Sequence, residues 1–233
     1  MTGKALLVLE SPWWTPDINR RRASVLPFLN GLANYLEHFS VYHSNFYERE
    51  GFKTALRDDL SFTREDRLYI YIAAHGVSRK IGGAPNGCQG IKLSTVLSEI
   101  GDLTKRKNIE GVLIGSCEIG GNVQDFKDAL KGTRIAWIFG YTCTIDWLGS
   151  TMVDLAIFEH TLRIRDAALG NRINLINTFV KALRKFDGNY PIGCEEDKGT
   201  YLKDAITLVT RPRGRGNVAT DDTDILKKKL RWE

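Results

Sequence analysis

The sequence predicts an α/β domain, a mostly parallel central sheet with helices on both faces. Two observations carry this. Apolar, β-rich runs alternate with amphipathic stretches through almost the whole chain, the pattern of repeated strand–helix–strand units. The 233 residues, 42% hydrophobic and 26% charged, match a globular composition with enough apolar material for one full core. No internal repeat interrupts the alternation.

Residues 4–10 read as a buried first strand. The segment from Ser11 to Asp17 is loop chemistry: Pro12 and Pro16 forbid a continuing ladder. Its adjacent Trp13 and Trp14 suit a plug over the sheet edge or a cleft wall. Val25, Leu29, Leu32, Ala33 and Leu36 keep helical spacing across 19–37. Residues 39–46 alternate as a second strand, and 52–60 make a short helix. Residues 67–74 are apolar enough for a central strand and end in His75-Gly76. A polar, Gly-rich excursion (77–90) leads to a helix over 93–105. Residues 111–115 form the fourth strand, ending in Ser116-Cys117, and Gly120-Gly121 break the chain before a helix at 123–130. Residues 134–141 are the fifth strand, 150–168 and 171–186 two amphipathic helices, and 205–209 a sixth strand.

Several function classes are set aside by composition. No stretch approaches the roughly 18 apolar residues that cross a bilayer, so no membrane role is expected. The N-terminal apolar run is too short for a signal peptide, is interrupted by Glu10, and lacks a small-residue cleavage site. The expected address is cytoplasmic. Cys88, Cys117, Cys143 and Cys194 include no C-x-x-C pair, which excludes a zinc knuckle or thioredoxin motif. Much of the +5 net charge lies in Arg211–Gly216 and in the run from Lys227 to Arg231. The expected organisation is a domain over 1–210 and a basic C-terminal tail over 211–233. Such a tail could touch nucleic acid or an acidic partner, but is more often a solvated end.

Ligands of open parallel sheets bind outside the carboxyl ends of the strands. His75 follows directly on one apolar strand and Cys117 on the next. If these strands are parallel neighbours, spaced about 4.8 Å, imidazole and sulfur emerge at one edge. That is the pairing of base and nucleophile that covalent acyl transfer needs. The amides of Gly76 and Cys117 could form an oxyanion hole. Cys143 also follows a strand and is the rival nucleophile. Ser116 lacks a Gly-x-Ser-x-Gly elbow. His38, His43 and His160 have no spaced partners for a metal, and the glycines at 82–87 lack the Lys-Ser/Thr of a phosphate loop.

The arrangement of strand, His75-Gly76, strand, Ser116-Cys117 and Gly120 resembles the caspase–hemoglobinase fold, and especially its bacterial CHAT-type members. The resemblance covers about 4–168. It departs from true caspases, because Ser116-Cys117-Glu118-Ile119-Gly120 stands where they carry Gln-Ala-Cys-x-Gly. The resemblance implies a cysteine endopeptidase with a His75–Cys117 dyad and no metal or organic cofactor. It implies a protein substrate, control by a partner, by loop ordering or by self-cleavage within 77–90, and a role in bacterial defence or regulated cell death. It also implies an S1 pocket built partly from residues 141–147. There Asp146 would read a basic P1 side chain and Trp147 would form a wall. Asp146 is equally well placed as an N-cap of the helix region 149–169, and Asp154 could support the site from below. Two other classes remain open: a catalytically silent binding module on the same sheet, and a nucleic-acid-binding protein using the basic tail.

Overall fold

The computed structural model describes residues 3–12, 23–37, 39–83, 89–195 and 198–232. Trp13, Trp14, His38, Cys88 and the middle of the 77–90 excursion lie outside them. The chain runs β1 (Lys4–Glu10), α1 (Leu26–Leu36), β2 (Phe39–Asn45), α2 (Arg49–Phe62) and β3 (Arg67–Ala73). Short strands β4 (Gly76–Val77), β5 (Lys80–Ile81) and β6 (Ile91–Lys92) then precede α3 (Leu93–Leu103) and β7 (Ile109–Gly115). Next come α4 (Val123–Leu130), β8 (Trp137–Tyr141), β9 (Thr144–Ile145), α5 (Trp147–Thr161) and α6 (Arg172–Leu183). The chain finishes with β10 (Pro191–Glu195), β11 (Lys198–Tyr201), α7 (Leu202–Ala205), β12 (Ile206–Thr210), β13 (Thr220–Asp221) and α8 (Thr223–Leu230).

Among the described residues the central sheet has seven strands in the order β13-β12-β8-β7-β3-β1-β2. The five from β2 to β8 are parallel, and β12 and β13 add antiparallel at one edge. Side chains of a strand alternate between faces, so each apolar run feeds two cores. Leu6, Val8, Tyr71, Leu113 and Phe139 meet α1, α5, α6 and α8 on one face. Leu7, Leu9, Ile70, Val112 and Ile114 meet α2, α3 and α4 on the other.

Three regions differ from expectation. The 77–90 excursion contains two strands of a small antiparallel sheet, with β4 and β5 joined by a tight turn and β6 added beyond. A hairpin, β10–β11, extends β9 into a second small sheet. The basic C-terminal stretch is not a solvated end. Arg211 donates to the carbonyls of Leu130 and Thr133 at 3.2 and 2.9 Å, and Arg213 pairs with Asp166 at 3.0 Å. In α8, Leu226 is fully buried, and Trp232 beyond it is nearly so. The lysines of α8 face outward while its apolar side completes the core on α6, so the charge run conceals an amphipathic helix.

Candidate active site

The register of β3 on β7 fixes the site. Ala73 pairs with Gly115 across these parallel strands, and His75 and Cys117 each lie two residues further on. The Ala74 amide still reaches the Gly115 carbonyl, at 3.4 Å, so the strands leave the sheet together. Just beyond, the two chains touch. A Cβ on Gly76 would stand 2.2 Å from the Cys117 carbonyl oxygen and 2.9 Å from its nitrogen. Only glycine permits that approach.

His75 is half-buried and Cys117 nearly buried, at 9% exposure. The Ile145 amide donates to Cys117 Sγ at 3.4 Å. Burial pushes the thiol pKa up; the N–H groups of Ile145, Cys117 and Gly76 act the other way by favouring the sulfur anion, and the Glu118 carboxylate adds to the upward push. The Ile145 amide on the sulfur is a donor that the sequence did not suggest. Ile145 belongs to β9, a two-residue strand too short to register as a pattern.

Asp146 caps α5. Its carboxylate accepts the Gly149 amide at 2.7 Å, which satisfies one of the orphan donors of the first turn. The side chain is also exposed, on the rim of a hollow of about 560 Å³ lined by Thr144, Ile145, Asp146, Tyr190, Pro191 and Cys194. Trp147 does not line that hollow; its ring meets Phe28 of α1 edge-on, with centroids 5.7 Å apart. Cys143 is buried at 2%, and its carbonyl accepts the Glu118 amide at 3.0 Å. His43 lies 2.8 Å from Glu10, a buried acid that also accepts Ser24 Oγ at 2.6 Å.

Asp154 lies behind the strand ends. Each of its oxygens is 2.6 Å from a tyrosine hydroxyl, Tyr71 of β3 on one side and Tyr141 of β8 on the other. The carboxyl fills space left by Gly115, where a Cβ would come within 3.0 Å of it. Burial raises its pKa to about 7, while the two hydroxyls oppose the shift. The trio links the strand carrying His75, the strand leading to Ile145, and α5. Two buried tyrosines near strand ends were the available signal.

No protein-family model matches the sequence, and no curated protein matches it. Among solved structures, that of a secreted C11 cysteine protease from Bacteroides thetaiotaomicron, "iotapain", is similar with a TM-score of 0.56 and 14% identity. The match covers 90% of this chain and 67% of that one. A structure of a secreted C11 cysteine protease from the same organism, in complex with an irreversible peptide inhibitor, gives 0.49 and 10% identity, over 89% and 66% of the two chains. This chain thus spans about two thirds of the length of the protease it matches. The sheet order and the likeness to iotapain together give this chain the caspase-like α/β fold, which C11 cysteine proteases share.

Proposed function

We propose that the protein is a cysteine endopeptidase acting through Cys117 and His75. The observation that carries this reading is the shared exit of β3 and β7, with Gly76 packed against the Cys117 backbone. His75 takes the thiol proton, and the thiolate attacks the scissile carbonyl carbon. The carbonyl oxygen gains the negative charge and is held by the Gly76 and Cys117 amides. As the C–N bond breaks, His75 returns the proton to the leaving amine, leaving a thioester on Cys117. Water, deprotonated by His75, then releases the acid and restores the thiol. The fold shared with C11 cysteine proteases supports a protein substrate.

The finer proposal is a basic P1 residue read by Asp146. Its support is the exposed carboxylate on the rim of a hollow one residue from Ile145. The resemblance to CHAT-type peptidases supports clipping of a partner protein in bacterial defence, with activity switched by a regulatory partner.

The test is cleavage of fluorogenic peptides bearing Arg, Lys, Asp or Leu at P1 by wild type, Cys117→Ala and His75→Ala, with iodoacetamide labelling alongside. Turnover by wild type and none by either variant is the expected result. A Cys117 that alkylates no faster than exposed Cys194, with a rate unmoved by His75→Ala, would favour the silent binding module instead.

A further inference from the structure

The loop after the base and the turn after the nucleophile are tied together by groups that the reaction itself does not use. Glu118, next to Cys117, sits at φ 62° and ψ −10°. Opposite it, Ser78 sits at φ 56°. Ser78 and Arg79 form the two-residue turn between β4 and β5, whose register pairs Val77 with Lys80. A positive φ at the first central position of such a turn is where glycine is preferred. Side-chain-bearing residues stay in this region when their surroundings over-determine them, and they cluster at functional sites.

The surroundings here are explicit. Glu118 Oε2 accepts the Ser78 amide at 2.8 Å. Asn122 Nδ2 donates to the Ser78 carbonyl at 2.7 Å. The Arg79 guanidinium donates to both oxygens of Asp125, each at 2.7 Å. The Glu118 amide in turn reaches the Cys143 carbonyl at 3.0 Å. Glu118 therefore joins the loops that follow β3, β7 and β8. Through Ser78 it holds the hairpin that begins at Gly76, which packs against the Cys117 backbone.

We propose that Glu118 is a positioning residue of the oxyanion hole, fixing the aim of the Gly76 N–H through its hydrogen bond to Ser78. The proposal rests on the cysteine-peptidase reading. Glutamine at 118 keeps an acceptor for the Ser78 amide and removes the charge; alanine removes both. The two substitutions therefore separate the tether from the field of the carboxylate on the thiol.

The experiment compares full-length wild type, Glu118→Gln, Glu118→Ala and Asn122→Ala. It reads kcat and KM on a cleaved peptide, the iodoacetamide rate of Cys117, and amide hydrogen exchange over residues 76–81. Removing an oxyanion donor outright costs about 100- to 1,000-fold in kcat, so misaiming one is expected to cost about 30-fold in Glu118→Ala with KM nearly unchanged. Asn122→Ala should move the same way, and Glu118→Gln should stay within about threefold of wild type. Alkylation needs no oxyanion hole, so it should not slow in either Glu118 variant. Exchange at Ser78 should quicken in Glu118→Ala and not in Glu118→Gln. Wild-type kcat in Glu118→Ala, or an equal loss in Glu118→Gln, overturns the proposal while leaving the peptidase reading intact. A wild type with neither turnover nor a His75-dependent thiol overturns that reading, and the proposal with it.

Discussion

Asp154→Asn should make the protein more stable at neutral and mildly alkaline pH, and the gain should depend on pH in a defined way. Asp154 is fully buried between Tyr71 and Tyr141, with a pKa raised from the ordinary 3.8 to about 7. Between those values the folded protein holds a proton that the unfolded chain has released. The unfolded state is thus favoured progressively as pH rises, and the stability present below pH 4 is lost by about pH 7. At about 1.4 kcal/mol per pH unit, the span amounts to about 4 kcal/mol. Asparagine has the same shape and no such equilibrium. At pH 4 the two proteins should differ by only about 1 kcal/mol, the scale of one rearranged hydrogen bond. By pH 8 the difference should have moved by about 4 kcal/mol in favour of the variant. Urea unfolding at pH 4, 5, 6, 7 and 8 measures this, because contributions of the other carboxylates cancel between the two proteins. A difference that stays flat across the range refutes the reasoning, since it would mean that Asp154 titrates alike in the folded and unfolded chains.

Gly76→Ala should abolish turnover by at least about 100-fold, because its Cβ would fall 2.2 Å from the Cys117 carbonyl oxygen and force the oxyanion donors apart; circular dichroism checks that the fold persists. Asp146→Asn should keep the cap on α5 but lose the preference for Arg and Lys at P1, whereas unchanged P1 ratios reduce Asp146 to a cap. Leu226→Ala should cost about 3 kcal/mol in urea unfolding, since Leu226 is the fully buried side chain on the inner face of α8; a cost near zero would mean that α8 is not docked.

The legible parts of the fold were those with a long, unambiguous period. β1, β3 and β7 have seven residues each, with an apolar run inside every one, and each ends at a polar or glycine-containing break. That made the common edge of His75 and Cys117 readable. Short pairing was not readable: β9 has two residues and recruits β10 through backbone bonds, which leave no side-chain signature. The helix α5 begins at Trp147 rather than 150 and ends at Thr161 rather than 168. Its faces are nearly all buried, so apolar spacing marked neither end; the start is marked by the Asp146 cap, one of the two roles the sequence left open for that residue. The C-terminal lysines outweighed Leu226 and Leu230, whose i, i+4 spacing was the available sign of a docked helix. Glu118 was hidden for a different reason, because its role depends on a turn more than thirty positions earlier in the chain.

The docking of α8 also has a consequence for how the molecule is made. Leu226 and Trp232 close the side of the core that carries α5, α6 and the Asp154 trio. During synthesis β3 and β7 leave the ribosome long before this lid exists, and domains generally fold as units. A nascent chain carrying both His75 and Cys117 still lacks the packing that holds α6 against the sheet. The two residues proposed to cut protein are therefore translated before the helix that completes the core on their side of the sheet.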